Sequence, residues 1–520
     1  MLGPRKGRCL DRSVLVSLEA LVPRGHFYRD LEAKLDLGFV RELAQDRYEA
    51  TGRPSIDPVV FFKLQLIMFF EGIRSERRLI EVARLNLAHR WYLGYHFDEP
   101  LPEHSSLTRI RDRLGVEIFH QFFERIVALC QAAGLVWGKE LLFDATQVRA
   151  NAGLDSLVPR FYLRAKQHVE DLFVAGSAEA TPADHEAPGS DHERAGTLDA
   201  PRREPESAPG ALLWRSTADE RAQLAAANEA TWKLLEQRRL DPERDAAHGY
   251  QRQSALRVSR TDPDAALMRL KGGGPMVLGY HDHYVVDGGK SRIILEALVT
   301  PADVMENTPM LDLLWRVCFR WQLRPKRAIG DTTYGTADNI RVLEEAGIRA
   351  YVPLPNWDER TPYFGPSTFA YDAERDVYHC PQGQPLRRYR TDHTAEVHLY
   401  RADAQTCNAC PVKGSCTASD QGRTVTRSFH AAYLDRVRAY HATPAYQKAM
   451  RKRAVWVEPL FGEAKDWHGL RRFRLRGLAK VNIEALLVAA GQNLKHWLTA
   501  TRWKPHSTPG GSLALAAAAS

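Results

Sequence analysis

The change of hydrophobic pattern at Leu141 constrains the fold more than any other feature of this 520-residue sequence. Before it, long stretches carry apolar residues at helical spacing, as Leu107, Ile110 and Leu114 do. After it, the apolar residues come in short runs: "LLFDATQV", "MVLGYHDHYVVD", "SRIILEALVTP" and, beyond a helical "MLDLLWRVCFRWQL", "KRAIGDTTYG". Strands with interspersed helices predict an α/β fold with a mixed sheet, preceded by an all-helical N-terminal region.

Two of these runs carry an aspartate at the end of a predicted buried strand. A carboxylate there is costly unless it is paired or binds a cation. Asp144 lies in the first run and Asp331 follows the last, so two strands can each deliver an aspartate to one edge of the sheet. A third acid, Glu458 in "VWVEPLFGEAK", lies near a predicted helix start. Each could instead be a helix cap or an ion-pair partner, but three convergent carboxylates suit Mg²⁺ or Mn²⁺.

Several segments resemble the DDE transposases of bacterial insertion sequences. They are "LLFDATQVRANAG", "GYHDHYVVDGGKSRIILEALVTPADVMENTPMLDLL", "KRAIGDTTYGTADNIRVLEEAGIRAYVPL" and "VEPLFGEAKDWHGLRRFRLRGLAKVNIEALLVAAGQNL". The helical stretch from Asp57 to Leu114 looks like the N-terminal domain of that family. The resemblance implies an RNase H-like mixed sheet flanked by helices, with two Mg²⁺ or Mn²⁺ ions held by the catalytic residues Asp144, Asp331 and Glu458. Such ions promote in-line displacement at phosphorus, the chemistry of DNA cleavage and strand transfer.

Pattern and resemblance together predict five parts of the chain. Residues 176–210 are rich in Ala, Pro, Glu, Asp and Gly with almost no large apolar residues, which predicts disorder there. The predicted parts are a helical N-terminal domain for end-DNA binding or dimerisation (1–136), the RNase H-like core (137–152, 276–350 and 441–500), a helical and partly disordered insertion (153–275), a cysteine-containing, β-rich insertion (351–440) and a disordered tail (501–520).

The resemblance also predicts basic residues that contact DNA. A lysine seven positions after the glutamate is typical of the family, and Lys465 fits after Glu458. Glu463 is a rival acid, but five positions place it about 140° away from Glu458 around a helix. The arginine usual four positions before the glutamate is Ala454 here, flanked by Arg451 and Arg453.

The strongest basic patch follows in "LRRFRLRGLAK", and it either binds transposon-end DNA or forms a solvated face. Its members are Arg471, Arg472, Arg474, Arg476 and Lys480.

Charge and hydropathy limit the partners and the location. The formal net charge of +8 favours a polyanionic partner. The most apolar run, Val59–Phe70, is shorter than the ~20 residues that span a bilayer. The N-terminus lacks the apolar core of a signal peptide. We therefore expect no membrane contact and a cytoplasmic protein, nucleoid-associated when bound to DNA. The basic side of the helix around Arg109 is either solvated or part of a helix–turn–helix-like unit.

Four grouped cysteines form a second candidate metal site. Cys380, Cys407, Cys410 and Cys416 could close a structural zinc site, or they could remain reduced and unliganded.

Two further features have alternative interpretations. His281, His283 and Asp287 alternate along one run and could bind a metal, but polar residues of a half-exposed strand are the simpler interpretation. Trp357 could stack on an unpaired base, or it could be packed or interfacial.

The predicted function is that of a transposase that binds the terminal inverted repeats of its element. It would act as a homodimer or larger assembly on double-stranded DNA, cutting transposon ends and joining the free 3′-hydroxyl to target DNA. Two alternatives stay open at this stage. One is a DNA-binding protein that descends from a transposase and has lost catalysis, and the other is a nuclease on the same core that cuts without joining.

Overall fold

The computed structural model describes residues 15–49, 55–160, 217–237 and 256–501. The predicted disorder at 176–210 and residues 502–520 of the predicted tail lie outside the described residues. The described α-helices are α1 (Leu18–Leu21), α2 (Phe27–Lys34), α3 (Phe39–Ala44), α4 (Pro58–Phe70), α5 (Glu76–Leu85), α6 (Leu87–Leu93), α7 (His104–Ala132), α8 (Ala218–Gln237), α9 (Met310–Arg320), α10 (Ala337–Glu345), α11 (Ala404–Asn408), α12 (Lys413–Cys416), α13 (Ala431–His441), α14 (Pro444–Trp456), α15 (Glu458–Asp466) and α16 (Leu478–Ala500). The strands are β1 (Glu140–Arg149), β2 (Leu157–Pro159), β3 (Arg257–Ser259), β4 (Ala266–Arg269), β5 (Met276–Asp287), β6 (Ile294–Pro301), β7 (Arg327–Ile329), β8 (Arg349–Tyr351), β9 (Ala370–Asp372), β10 (Val377–His379), β11 (Pro385–Asp392), β12 (Val397–Ala402) and β13 (Thr424–Ser428).

The N-terminal helices surround α4. The Asp57 side chain accepts a hydrogen bond from the Val59 amide (2.9 Å) and Pro58 occupies the first turn, so both helix-start signals act as expected. Because α4 is apolar on nearly every side, it is buried among its neighbours rather than lying on a surface. Its Phe69 ring packs so closely on α16 that a Cβ at Gly491 would lie 2.5 Å from a ring carbon. The helical region is therefore packed directly on the rest of the molecule.

The central sheet has six strands in the order β4–β5–β1–β7–β8, with β6 also paired to β5. β5 runs antiparallel to β1, β4 and β6, whereas β7 and β8 run parallel to β1. The mixed helix and sheet composition and the helical N-terminal region agree with the predicted α/β class. The RNase H-like assignment stays a prediction.

The α16 helix covers the open edge of β6 with two amide side chains. Asn482 bonds both backbone groups of Val299 (2.8 and 3.1 Å), and Asn493 does the same for Ile294 (2.8 and 2.7 Å). An uncovered strand edge presents unpaired backbone groups that invite pairing with other chains. These two asparagines satisfy that edge within the molecule.

A second, five-stranded sheet in the order β13–β12–β11–β10–β9 lies within residues 351–440. Adjacent strands are all antiparallel. We call this the insertion sheet. Its buried hydrophobic cluster is small and consists of Phe369, Tyr378, Leu386, Tyr400, Ala402, Cys416 and Val425.

No helix in the described part of the chain is long and apolar enough to cross a membrane.

Candidate active site

Asp144 and Asp331 lie on neighbouring parallel strands of the central sheet. Leu142 of β1 pairs with Ile329 of β7, and each aspartate comes two residues after its paired residue. Asp331 accepts a hydrogen bond from the Thr333 amide (2.8 Å) and so caps the short helical turn that ends the strand. The two carboxylates interact electrostatically, since Asp331 raises the pKa of Asp144. The fold therefore places Asp331, just past the end of β7, beside β1, but Asp144 lies in the middle of β1, so the predicted position at a strand end is wrong for Asp144.

Asp144 is buried and is held by cationic and backbone partners. Burial raises its pKa to about 6, against the opposing effect of Arg453. Its Oδ2 lies 3.1 Å from a guanidinium nitrogen of Arg453, and its Oδ1 accepts from the Ala145 amide at 3.0 Å. Lys271 also favours the ionised form. A nearby cation therefore stabilises the ionised form of this buried carboxylate, and Arg453 supplies that cation here.

The helix that begins at Glu458 packs on the same sheet face as Asp144. Asp144 and Tyr284 are register partners, so their side chains point to the same side. The Phe461 ring of α15 stacks on Tyr284 with centroids 4.5 Å apart. Glu458 itself is the exposed first residue of α15, with Pro459 next to it.

The three predicted acids do not form a closed ligand set in this structure. Among the described residues, the one group of three potential ligands whose atoms all lie within 4.8 Å of one another is Asp338, Glu396 and His430. Asp338 and Glu396 are exposed and His430 is half-buried, and this group lies where the insertion sheet meets α10. Asp144, Asp331 and Glu458 therefore do not all have ligand atoms within 4.8 Å of one another.

A fourth acid near the aspartates, Glu306, was missed in the sequence. The buried phenol of Tyr334 has its pKa raised well above the usual value by burial, then by Asp144, Glu306 and Asp331. Glu306 is itself buried, with Oε1 3.4 Å from Lys271 Nζ. A signal was present, because an acid following the buried strand β6 repeats the arrangement of Asp331 after β7.

Glu463 is an ion-pair partner within the core. Its carboxylate lies 2.6 Å from Lys495 Nζ and 3.4 Å from His468 Nε2. Burial alone would raise its pKa, but the hydrogen bonds from His468 and Lys495 lower it to about 2. These contacts tie α15 to α16, which leaves Glu463 engaged in structure.

Lys465 is half-buried beside an unusual carboxylate, Asp282 of β5. Asp282 is fully buried, and neither of its carboxylate oxygens has a hydrogen-bond partner among the described residues. Burial raises the pKa of Asp282 well above its ordinary value, and Lys465 opposes that shift. The same burial lowers the pKa of Lys465.

The basic segment 471–480 ties the N-terminal helices to the end of β1. Arg474 lies 2.8 Å from Glu76 of α5, and Lys480 lies 2.8 Å from Asp112 of α7. Arg471 pairs with Asp466. Arg472 donates hydrogen bonds to the Ala150 carbonyl and the Asn151 side chain, and Arg476 donates to the Asn151 carbonyl, just after β1. Arg471, Arg472 and Arg476 keep exposed side chains. Much of this patch therefore has a structural task that its composition did not reveal.

The alternating polar residues of β5 bond to protein partners. His281 Nδ1 lies 3.1 Å from the Val304 carbonyl, and His283 Nε2 lies 2.8 Å from the Thr300 hydroxyl, while His283 Nδ1 has no hydrogen-bond partner among the described residues. Asp287 accepts from the amides of Trp137, Gly138 and Gly289. These contacts favour structural polar residues, but the predicted half-exposed strand is wrong, because β5 is buried from Leu278 to Asp287.

Two other predicted residues have distinct surroundings. Trp357 is 55% exposed, with the Arg360 guanidinium 4.7 Å from its ring centroid, so it is not packed in a core. Arg451 is exposed on α14, one residue before Lys452, which pairs with Glu140 at the start of β1.

Two family models match the chain, one near each end. A model described as a transposase DDE domain matches residues 379–498, which include Glu458 and Lys465 but neither aspartate. A model described as a transposase domain (DUF772) matches residues 16–113. No curated protein and no solved structure shows significant similarity to the chain. Both matched models are transposase domains, and together they support a DDE transposase of an insertion sequence.

Proposed function

We propose that the protein binds the terminal inverted repeats of its insertion sequence and catalyses metal-dependent DNA cleavage and strand transfer. The observation that carries this proposal is the proximity of Asp144 in β1 and Asp331 just after the neighbouring strand β7. An RNase H-like core is supported by the strand directions: β6, β5 and β1 pair antiparallel, and β7 and β8 run parallel to β1.

The donor set fits a hard divalent cation. Asp144 and Asp331 offer carboxylate oxygens, the ligands that Mg²⁺ and Mn²⁺ prefer, and burial makes an unpaired charge on Asp144 unfavourable. We assign the third carboxylate to Glu458 because its helix packs on the face of Asp144. Glu306 is the competing third acid. When bound, two such ions would activate the attacking oxygen and stabilise the leaving oxygen at phosphorus.

The basic residues near the aspartates would position the DNA. Arg453 neutralises Asp144 in this structure, and a guanidinium released from that carboxylate can bind a phosphate in a bidentate manner. Lys465 lies in the same layer and offers a single ammonium.

The exposed arginines extend this positive surface toward longer DNA. We propose that Arg451, Arg471, Arg472 and Arg476 contact phosphates of the transposon end. Arg474 and Lys480 would act mainly through their contacts with the N-terminal helices. A homodimer would hold two ends together, in the cytoplasm and at the nucleoid.

The decisive experiment is a cleavage assay on linear DNA that carries the ends of the element, with Mn²⁺ and a plasmid target. We expect Asp144→Asn and Asp331→Asn to abolish cleavage and Asp338→Asn, an exposed acid of the other cluster, to cut as the wild type does. Unchanged cleavage by Asp144→Asn would refute the assignment.

The same assay separates the third acid and the alternatives. Glu458→Gln should abolish cleavage, and Glu306→Gln should retain it; the reverse would make Glu306 the ligand. Cleavage without joining to the plasmid would identify a nuclease. Specific binding of the ends without cleavage, in both Mg²⁺ and Mn²⁺, would identify a DNA-binding descendant of a transposase.

A further inference from the structure

Four cysteines from separate segments surround one cavity in the insertion. Cys380 follows β10, Cys407 lies in α11, Cys410 follows that helix and Cys416 ends α12. All four line a cavity of about 30 Å³. Since Cys380 is 27 positions before Cys407, sequence proximity alone cannot explain why it shares the cavity.

The backbone turns tightly around the Cys380 sulfur. The Gln384 amide donates a hydrogen bond to Cys380 Sγ (3.3 Å), and the Gly383 amide donates to the Cys380 carbonyl (2.8 Å). Gly383 has a φ of +74°, a conformation that favours glycine. This turn therefore fixes the Cys380 sulfur beside the cavity.

A fixed positive charge lies beside the cluster. The Arg423 guanidinium donates to the carbonyls of Cys416 (2.9 Å) and Phe364 (2.8 Å), which holds it against the wall of the cavity. Cys130 and Cys318, by contrast, are buried apart from this cluster.

We propose that Cys380, Cys407, Cys410 and Cys416 bind one structural zinc ion. Four thiols would release up to four protons to solvent and coordinate Zn²⁺ as thiolates at about 2.3 Å, with Arg423 offsetting the resulting negative charge. No three of these sulfurs lie within 4.8 Å of one another in this structure. Zinc binding would therefore draw the four sulfurs into the cavity.

The ion would fasten the turn after β10 to the segment that holds α11 and α12. The hydrophobic cluster of the insertion sheet has seven buried residues, of which Cys416 is one. A sheet with so little buried apolar surface gains stability from a metal crosslink, as small domains commonly do. This zinc site is independent of the proposed DNA cleavage.

The test measures the zinc content of the full chain, purified under reducing conditions. We expect about one zinc ion per chain in the wild type and a near-complete loss in Cys407→Ser and Cys416→Ser. Two matched controls should keep zinc: Cys318→Ala, a buried thiol of the central core, and His430→Ala, which breaks the Asp338, Glu396 and His430 group.

Cobalt replacement provides a readout on the wild type alone, without variants that could misfold. Co²⁺ bound by four thiolates should give intense sulfur-to-metal charge-transfer bands and the visible bands of a tetrahedral site. The proposal is overturned if the wild type neither retains zinc nor produces these bands. It is equally overturned if His430→Ala loses the zinc while the cysteine variants keep it.

Discussion

The central sheet and the insertion sheet stabilise themselves in opposite ways. In the central sheet, residues Leu278–Asp287 of β5 are buried without interruption, and α16 covers the β6 edge. In the insertion sheet, most of β11 is exposed, and one small cluster forms the core. The central sheet is therefore stabilised by extensive apolar burial, whereas the insertion sheet has little apolar burial of its own.

This difference explains where the costly groups are placed. Asp144 and Asp282 are buried carboxylates whose pKa values burial raises, and each destabilises the ionised folded state. Only a large core can carry such groups and remain folded. The proposed catalytic aspartates therefore lie in the central sheet region, and the proposed zinc site lies in the insertion.

The largest expected effect is a loss of DNA cleavage without a matching loss of stability in the central sheet. Asp144→Asn should lower cleavage by about a thousandfold or more, because a proposed metal ligand is lost. The thermal midpoint should fall little, since the change removes a buried charge that burial disfavours. Circular dichroism melts beside the cleavage assay would check this, and a collapse of the fold would contradict the idea that the core tolerates its acids.

Zinc removal should affect the insertion sheet alone. In the zinc-free chain, we expect trypsin to cut within residues 370–428 about tenfold faster, because local opening governs proteolysis. Bonds in the central core should be cut at unchanged rates. Mass spectrometry of the early fragments provides the measurement, and equal acceleration throughout the chain would break the distinction between the two sheets.

Matched asparagine changes compare the two regions directly. Asn493→Ala should lower the free energy of unfolding by about 2–4 kcal/mol, because it leaves two buried backbone groups of Ile294 unsatisfied. Asn408→Ala removes one exposed bond to Asp420 in the insertion and should cost about 0.5 kcal/mol. Denaturant titration of both variants tests the ranking, and similar losses would argue against it.

The Glu463 ion pair should give a moderate effect on the free energy of unfolding, with a defined pH dependence. The folded pKa of about 2 lies below the ordinary value of 4.5, so its stabilisation is present above about pH 4.5 and is lost as the pH falls toward 2. Glu463→Gln should therefore cost about 2 kcal/mol near pH 7, allowing for partial exposure, and progressively less in acid.

Denaturant melts of wild type and Glu463→Gln across this pH range test the linkage. A gap between them that stays constant down to pH 2 would show that the charge is not what stabilises the contact. A large loss of cleavage in Glu463→Gln at unchanged stability would instead restore Glu463 as a catalytic candidate.

The sequence predicted the helix-to-sheet order and the acids of the central strands because these depend on local pattern. Asp57 and Pro58 begin α4 as capping rules require, and the runs that carry Asp144 and precede Asp331 are the parallel neighbours β1 and β7. Glu306 could not be singled out from the sequence, because a single acid after a strand is common.

The sequence by itself determined which side chains are available: the aspartates in and after the central strands, the cysteine group and the arginine-rich segment. Tertiary structure alone decided their partners, because these lie hundreds of positions apart. It placed Arg453 on Asp144, and it engaged Arg474 with Glu76. The linear sequence does not show which charged side chains will be buried. Burying an unpaired charge costs free energy, so a charged side chain that the fold buries is found next to a partner.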